Sequence, residues 1–273
     1  MYKLLSAYFF RFVKNKVFWF ELIAALVLSL YLCLINYDAE YHIDLDQVFF
    51  TFYQFLGFMA AVGVSLIVGS EYSDGTIRNK LAVGDTRVNL YFSNLLVSCA
   101  VSVLIVLIHT AVTGIVGSLL FGTFQMQLSQ AVFAIACACL AAVSYTGICV
   151  FISMNCSNKA VAAVISLVLM LGLLYVGSAL GAALREPKMT YNGVTLTENG
   201  IQYFGDMIQN PAYISGTKRM VYEFFYDLLP SGQISQLHSL DFARAARWPW
   251  FSVGLSVLMS AAGFVAFRRK DIK

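Results

Sequence analysis

Charge is what this 273-residue chain has least of: Asp, Glu, Lys and Arg together make up only 12% of it. Soluble domains carry about 25%, so a water-solvated globule is excluded and lipid must be the main solvent. Histidine is scarce, with three residues in all. His42 and His238 fall in loops and only His109 lies within an apolar run, so no His-Glu-x-x-His zinc motif is present and no catalytic Ser–His pair is expected. A phosphate loop is missing as well. The stretch Gly69 to Thr76 lacks the Gly-x-x-x-x-Gly-Lys-Ser/Thr that cradles a nucleotide. Of the six cysteines (Cys33, Cys99, Cys137, Cys139, Cys149, Cys156) none lies in 185–247, which rules out a disulfide framework there. Cys137 and Cys139, two apart, would diverge on a helix and make no metal site, so all six read as small buried hydrophobes. No Lys/Arg run with interleaved aromatics exists outside the membrane flanks, which argues against nucleic acid. Two-residue alternation is absent too, so the apolar runs are helices and not barrel strands.

What the chain has is apolar length: 59% hydrophobic residues and a mean hydropathy of +0.74. A span needs about 20 apolar residues to cross roughly 30 Å of hydrocarbon. Six runs qualify, at about 17–36, 48–69, 91–121, 130–153, 160–184 and 248–267. The expected architecture is an all-α membrane protein with six transmembrane helices and no separate soluble catalytic domain. Lys and Arg set the orientation. Lys3, Arg11, Lys14 and Lys16 precede span one, and Arg78, Lys80 and Arg87 lie between spans two and three. Lys159 follows span four, and Arg268, Arg269, Lys270 and Lys273 close the chain. The opposite short loops, 37–47 and 122–129, contain no base, and the first is acidic through Asp38, Glu40, Asp44 and Asp46. This places both termini in the cytoplasm of a multi-pass cell-membrane protein, and the net charge of +3 reflects orientation. The apolar run after Lys16 is too long for a signal peptide and reads as a retained first span.

Residues 1–16 set Leu5, Tyr8, Phe9, Phe12 and Val13 at helical spacing among Lys3, Arg11 and Lys14, which predicts an amphipathic interfacial helix. The alternative is an extension of span one. Residues 17–184 hold spans one to five with a cytoplasmic loop at 70–90. Small residues such as Ala131, Ala134, Ala138 and Ala141 suit spans four and five to the packed interior or a protomer interface. The 185–247 segment is expected to be an extracellular helical segment between the fifth and sixth spans. Asn192-Gly193, Asn199-Gly200 and Asn210-Pro211 signal turns. An amphipathic helix at Met220–Leu229 is stopped by Pro230, and its aromatics suit the outer leaflet or the exit of a pathway. Pro249 fits the first turn of the last helix, within 248–273.

Two intramembrane polar residues are candidates. Glu21 can snorkel to the interface or pair with Lys16 or Arg78. His109, near Thr110 and Thr113, reads as a hydrogen-bonded interior residue. An ion-coupled carrier would need several midplane charges or broken helices, so the energy for transport must come from outside the chain. The polar island 69–90 is where it can enter. It carries Glu71, Asp74 and Asp85 with Arg78, Lys80 and Arg87. Ser73 or Asp74 can cap a short helix through Thr76, Ile77, Arg78 and Leu81, with Ile77 and Leu81 on one face. A solvated loop that only satisfies orientation is the other reading.

Glu71, Gly75-Thr76, Arg78, Leu81 and Arg87 together resemble the coupling loop of ABC-2-type transporter permeases. The closing Gly263-Phe-Val-Ala-Phe-Arg-Arg-Lys-Asp-Ile272 resembles that family's last span and tail. Asn210-Pro-Ala-Tyr-Ile-Ser-Gly216 and Leu229-Pro-Ser-Gly-Gln233 resemble its bacitracin and lantibiotic immunity branch. At Gly84-Asp85 the chain departs from relatives that carry a proline-containing turn. The resemblance implies the permease subunit of a bacterial ABC exporter, not itself an enzyme. ATP and Mg would be bound by a partner ATPase, and a second permease chain, identical or related, would complete the assembly. The residues coupling to the ATPase would be Glu71, Tyr72, Asp74, Gly75, Thr76, Ile77, Arg78, Leu81 and Arg87. The cargo would be an amphiphile such as a peptide antibiotic, lipid or drug, in some relatives a source of antibiotic resistance. A non-pumping membrane protein that senses or sequesters a toxin is the alternative, and an intramembrane enzyme a third.

Overall fold

The computed structural model describes residues 2–38, 43–197 and 200–270, with side chains at 6–38, 43–193 and 204–270. Readings that involve Lys3, Leu5, Glu40, His42, Asn199 and the tail residues Asp271, Ile272 and Lys273 therefore lie wholly or in their side chains outside the description.

Among the described residues six helices are long and apolar enough to cross a membrane. Helix α1 (Tyr2–Lys14) comes first, and the chain then breaks at Asn15, whose side chain accepts from Val17 N at 2.9 Å and starts α2 (Lys16–Ile35). That cap makes α1 a helix in its own right and not an extension of span one. It is amphipathic: Tyr8 and Phe12 are buried, whereas Phe9 and Phe10 face outward. The second span is built in pieces, α3 (Leu45–Thr51), a 3-10 turn at Phe52–Phe55, and α4 (Leu56–Ser73). The short α5 (Thr76–Ala82) leads into α6 (Arg87–Phe121), α7 (Leu128–Asn155) and α8 (Lys159–Arg185). Strands β1 (Met189–Thr197) and β2 (Gly200–Gln209) follow, then α9 (Gly216–Leu228), α10 (Pro230–His238) and α11 (Trp248–Arg269).

Packing follows side-chain size. In α7, Ala134, Ala138, Ala141 and Ala142 are buried and let α4, α6 and α11 close around it. Helix α8, also rich in small residues, is peripheral: Val164, Val168, Leu171 and Tyr175 face outward. Span five thus packs on α4 along one face, where Ala162, Ser166 and Met170 are buried, and turns its other face outward. Its Gly177-x-x-x-Gly181 step meets α9 and α10, where a Cβ would collide with Ser231 and the Tyr226 hydroxyl.

The 185–247 segment differs from expectation in two ways. Residues 189–197 and 200–209 pair as antiparallel strands, and Asn192-Gly193 is no turn but lies inside β1 at a register irregularity. Gly193 is tolerated there because the Phe204 ring fills the place of a side chain. The amphipathic helix begins at Gly216, four residues early, and Pro230 both ends it and opens α10. Helix α10 is sunk into the bundle against α7 and α8, with Gln233, Ile234, Gln236 and Leu237 buried. Gln233 donates to Asp227 O at 2.9 Å and accepts from Ser252 Oγ at 2.7 Å, so its amide is satisfied inside. Asp227, also buried, is held by Arg244 at 3.1 Å. Asn210 behaves as a turn residue, its side chain accepting from Ala212 N at 2.9 Å.

Candidate functional site: a carboxylate hub beneath a polar knuckle

Helix α4 runs one turn further than its hydrophobicity suggests, so Glu71 and Tyr72 close a span and do not lie in a loop. The chain reverses at Gly75, whose φ of 67° is the left-handed conformation that glycine adopts without a Cβ penalty. Neither Ser73 nor Asp74 caps α5, contrary to the sequence reading, because Gly75 occupies the residue before it. Thr76 Oγ1 instead donates back to Glu71 O at 3.1 Å and closes the turn.

Four elements meet at the Glu71 carboxylate, which is 2% exposed. Oε1 accepts from Arg11 Nη1 of α1 at 2.6 Å and from Lys80 Nζ of α5 at 2.9 Å. Oε2 accepts from Tyr8 Oη of α1 at 3.2 Å and from Asn94 Nδ2 of α6 at 3.2 Å. The Lys80 ammonium also sits 3.7 Å from the Tyr8 ring centroid. Burial, and then the Glu71 charge, raise the Tyr8 phenol well above its ordinary pKa, so it stays a donor. Burial lowers the Lys80 pKa while Glu71 opposes that shift. A buried carboxylate needs paired charge and filled lone pairs, and Glu71 has both. Lys80 and Tyr8 carry the arrangement with it, yet the sequence reading placed neither among the coupling residues: it took Lys80 as a base of the polar island and Tyr8 as part of an amphipathic face, and Tyr8 and Arg11 lie 63 and 60 residues from Glu71.

The remaining expected residues divide between an inner and an outer face. Ile77 is buried at 1% exposure and Leu81 half-buried against the core, so the shared face points inward. Ser73, Asp74, Arg78, Asn79 and Val83 form the outer face, Val83 at 90% exposure. Between the faces lies a polar cup of about 400 Å³ lined by Glu71, Tyr72, Ser73, Asp74, Gly75, Ile77 and Arg78. Tyr72 Oη donates to Met154 O at the end of α7, and the Lys270 ammonium lies 3.9 Å from its ring. Arg87 serves the last span: its Nη1 donates to Phe267 O, Arg268 O and Lys270 O at 2.9, 3.1 and 2.6 Å. These carbonyls lie at the end of α11, where a helix runs out of intrahelical donors, and Phe267 O accepts from Lys270 N at 3.3 Å as well. The N-terminal helix, the knuckle and the C-terminal end of α11 thus converge at one end of the bundle.

The two intramembrane candidates lie apart from this hub. Glu21 is 3% exposed and reaches neither Lys16 nor Arg78 nor the interface. It points between α2, α4 and α6 because Gly63 has no side chain, and its carboxylate occupies the space a Cβ would fill. His109 is fully buried: Nε2 meets Phe49 O at 2.9 Å and Nδ1 meets Ser29 Oγ at 2.8 Å and Thr113 Oγ1 at 3.1 Å. A carbonyl only accepts, so Nε2 carries the proton and Nδ1 accepts. Thr110 bonds Tyr53 instead, at 3.3 Å.

A family profile described as "ABC-2 family transporter protein" matches residues 4–177, from α1 to the middle of α8. The chain belongs to the ABC-2 transporter family. This ABC-2 chain is accordingly a multi-pass membrane protein and a permease component, and the match spans every residue of the Glu71 hub. No curated protein matches it.

Proposed function

We propose that this ABC-2 chain is the membrane-spanning subunit of an exporter powered by a separate ATPase, and that the outer face of the knuckle receives that motor. The observation that carries the reading is the Glu71 hub. A force applied to α5 reaches α1, α4 and α6 through one carboxylate, so the knuckle is not a free solvated loop. The end that bears it also holds Lys14, Lys16, Lys159, Arg268 and Arg269, whereas the 122–127 connection has no base. That distribution supports a cytoplasmic placement of the knuckle and both termini. A second permease chain, identical or related, completes the assembly. The cargo is amphiphilic, a class supported by the outward-facing Met220, Val221, Phe224 and Phe225 of α9 at the opposite end, and the branch we favour is that of bacitracin and lantibiotic immunity.

The inner and outer faces predict different defects. Arg78→Ala, on the exposed face, is expected to weaken co-purification of the ATPase. Glu71→Gln, beneath it, is expected to leave pairing intact and lower transport-linked turnover. If both variants kept full ATP-driven transport, the coupling assignment would fail. A non-pumping protein that sequesters a toxin is the second reading, favoured by the exposed Tyr191, Phe204 and Met207 of β1 and β2. Inactivating the ATPase would then leave protection untouched, whereas under the first reading it abolishes protection.

A further inference from the structure

An apolar groove of about 460 Å³ runs between α6 and α11 over Val143 of α7. It exists because small side chains, Cys99 on α6 and Ser260 and Ala261 on α11, line it between larger neighbours. Cys99 lies twelve residues inside the start of α6, and Ala261 eight residues inside the end of α11. At 1.5 Å per residue these positions are roughly 12–18 Å below the end of the bundle that bears the knuckle. Half of a hydrocarbon core is about 15 Å thick, so the groove lies at acyl-chain depth in the knuckle-side leaflet. Its wall toward the knuckle is Phe92, whose ring is backed by Phe264 with centroids 5.7 Å apart.

Above that wall the chemistry changes sign and polarity. Val257, Ala261, Phe264 and Arg268 follow one another at helical spacing on one face of α11, so Arg268, exposed, stands over the mouth of the groove. Arg269 and Lys270 follow it, and no acid lies among the described residues of α11. An apolar slot opening to lipid, capped one turn beyond its aromatic wall by a guanidinium, is complementary to a single molecule with an apolar tail and an anionic head. We propose that this groove binds the acyl chain of one anionic phospholipid, with its phosphate at Arg268. Arg87 is engaged with the α11 carbonyls, so it braces the helix that presents Arg268 and does not hold the phosphate. The site would hold α6 to α11 from the lipid side where the groove separates them.

The test is native mass spectrometry of the purified full chain in detergent, supplied with phosphatidylglycerol or phosphatidylcholine. The wild type is expected to retain one phosphatidylglycerol with about fivefold preference over phosphatidylcholine, the effect of roughly one basic residue near a headgroup. Arg268→Gln should level the two lipids. Ala261→Trp should fill the slot and lose both, and Cys99→Phe, which fills it from the opposite wall, should do the same where the first variant folds poorly. Val168→Trp on the outward face of α8 should retain lipid like the wild type. Retention by both slot-filling variants, or an unchanged preference in Arg268→Gln, overturns the proposal. So does loss of a dimer instead of lipid in Ala261→Trp, which would assign the groove to a second copy of the chain.

Discussion

Among single residues, Gly63 and Glu21 form the most constrained pair. An ionisable side chain within a span is costly unless it finds partners, and Glu21 rests against the bare backbone of Gly63. Gly63→Ala would force the carboxylate aside in a closed interior, an overpacking that typically costs about 1–3 kcal/mol. Trimming Glu21 in the same chain should return most of that loss, so the two changes are strongly non-additive. Thermal unfolding of Gly63→Ala, Glu21→Ala and the double variant in detergent measures the coupling. Additive losses would show that the carboxylate does not depend on this glycine. Glu21 was legible in the sequence as an intramembrane acid, but its neighbour was not, because a glycine among apolar residues gives no sign of what rests against it.

At the level of elements, helix ends show what a linear reading can and cannot see. The six spans stand where hydrophobic length puts them, and α5 stands where a polar island with a central glycine predicts it. The end of α11 was visible as a basic tail, yet the residue that caps it, Arg87, lies some 180 positions earlier. Its guanidinium meets three carbonyls through one nitrogen, whose two protons are shared among them, at a reach that the shorter lysine side chain falls short of. Arg87→Ala is expected to destabilise the chain by about 1–3 kcal/mol and to speed hydrogen exchange at 267–270, with Arg87→Lys recovering only part. Unchanged exchange there would mean that solvent satisfies those carbonyls equally well. The strand pair and α10 were illegible for a different reason. Gly193 mimics a turn signal until Phe204 is seen to cover it, and the serines and glutamines of α10 resemble a surface helix until Gln233 and Gln236 find partners inside. Helix α10 ends at His238, where burial first and the Arg185 charge second lower the imidazole below its ordinary value of 6.5. The unfolded chain then takes up this proton before the folded one does, so stability is lost as pH falls below about 6.5 and is complete above it. His238→Gln should flatten the fall in melting temperature between about pH 7.5 and 5.5; an identical slope in the variant would assign the effect to other groups.

For the molecule as a whole, the question is whether the knuckle moves alone or with the bundle. Interior α7 and α4 are clasped by their neighbours, while α2, α8 and α11 face largely outward, so the rigid centre lies away from the lipid-facing helices. The knuckle is joined to that centre by few contacts apart from the Glu71 hub and the inward Ile77. Removing one member of a buried charged cluster leaves the others without compensation, a loss of about 3–5 kcal/mol when fully enclosed. Arg11 and Lys80 keep some solvent access, at 32% and 24% exposure, so Glu71→Ala is expected to cost less, about 2–3 kcal/mol. The distribution of that loss is more telling than its size. If the carboxylate is the tie between α1, α5 and the start of α6, hydrogen exchange should accelerate in all three together and stay unchanged in α9 and α10 at the far end. The double variant Arg11→Ala with Lys80→Ala should reproduce the same pattern, because it removes the same tie from the opposite side. Loosening confined to α5 would show that the knuckle is anchored by Ile77 alone, and a motor pulling on it would then reach α4 without recruiting α1 or α6.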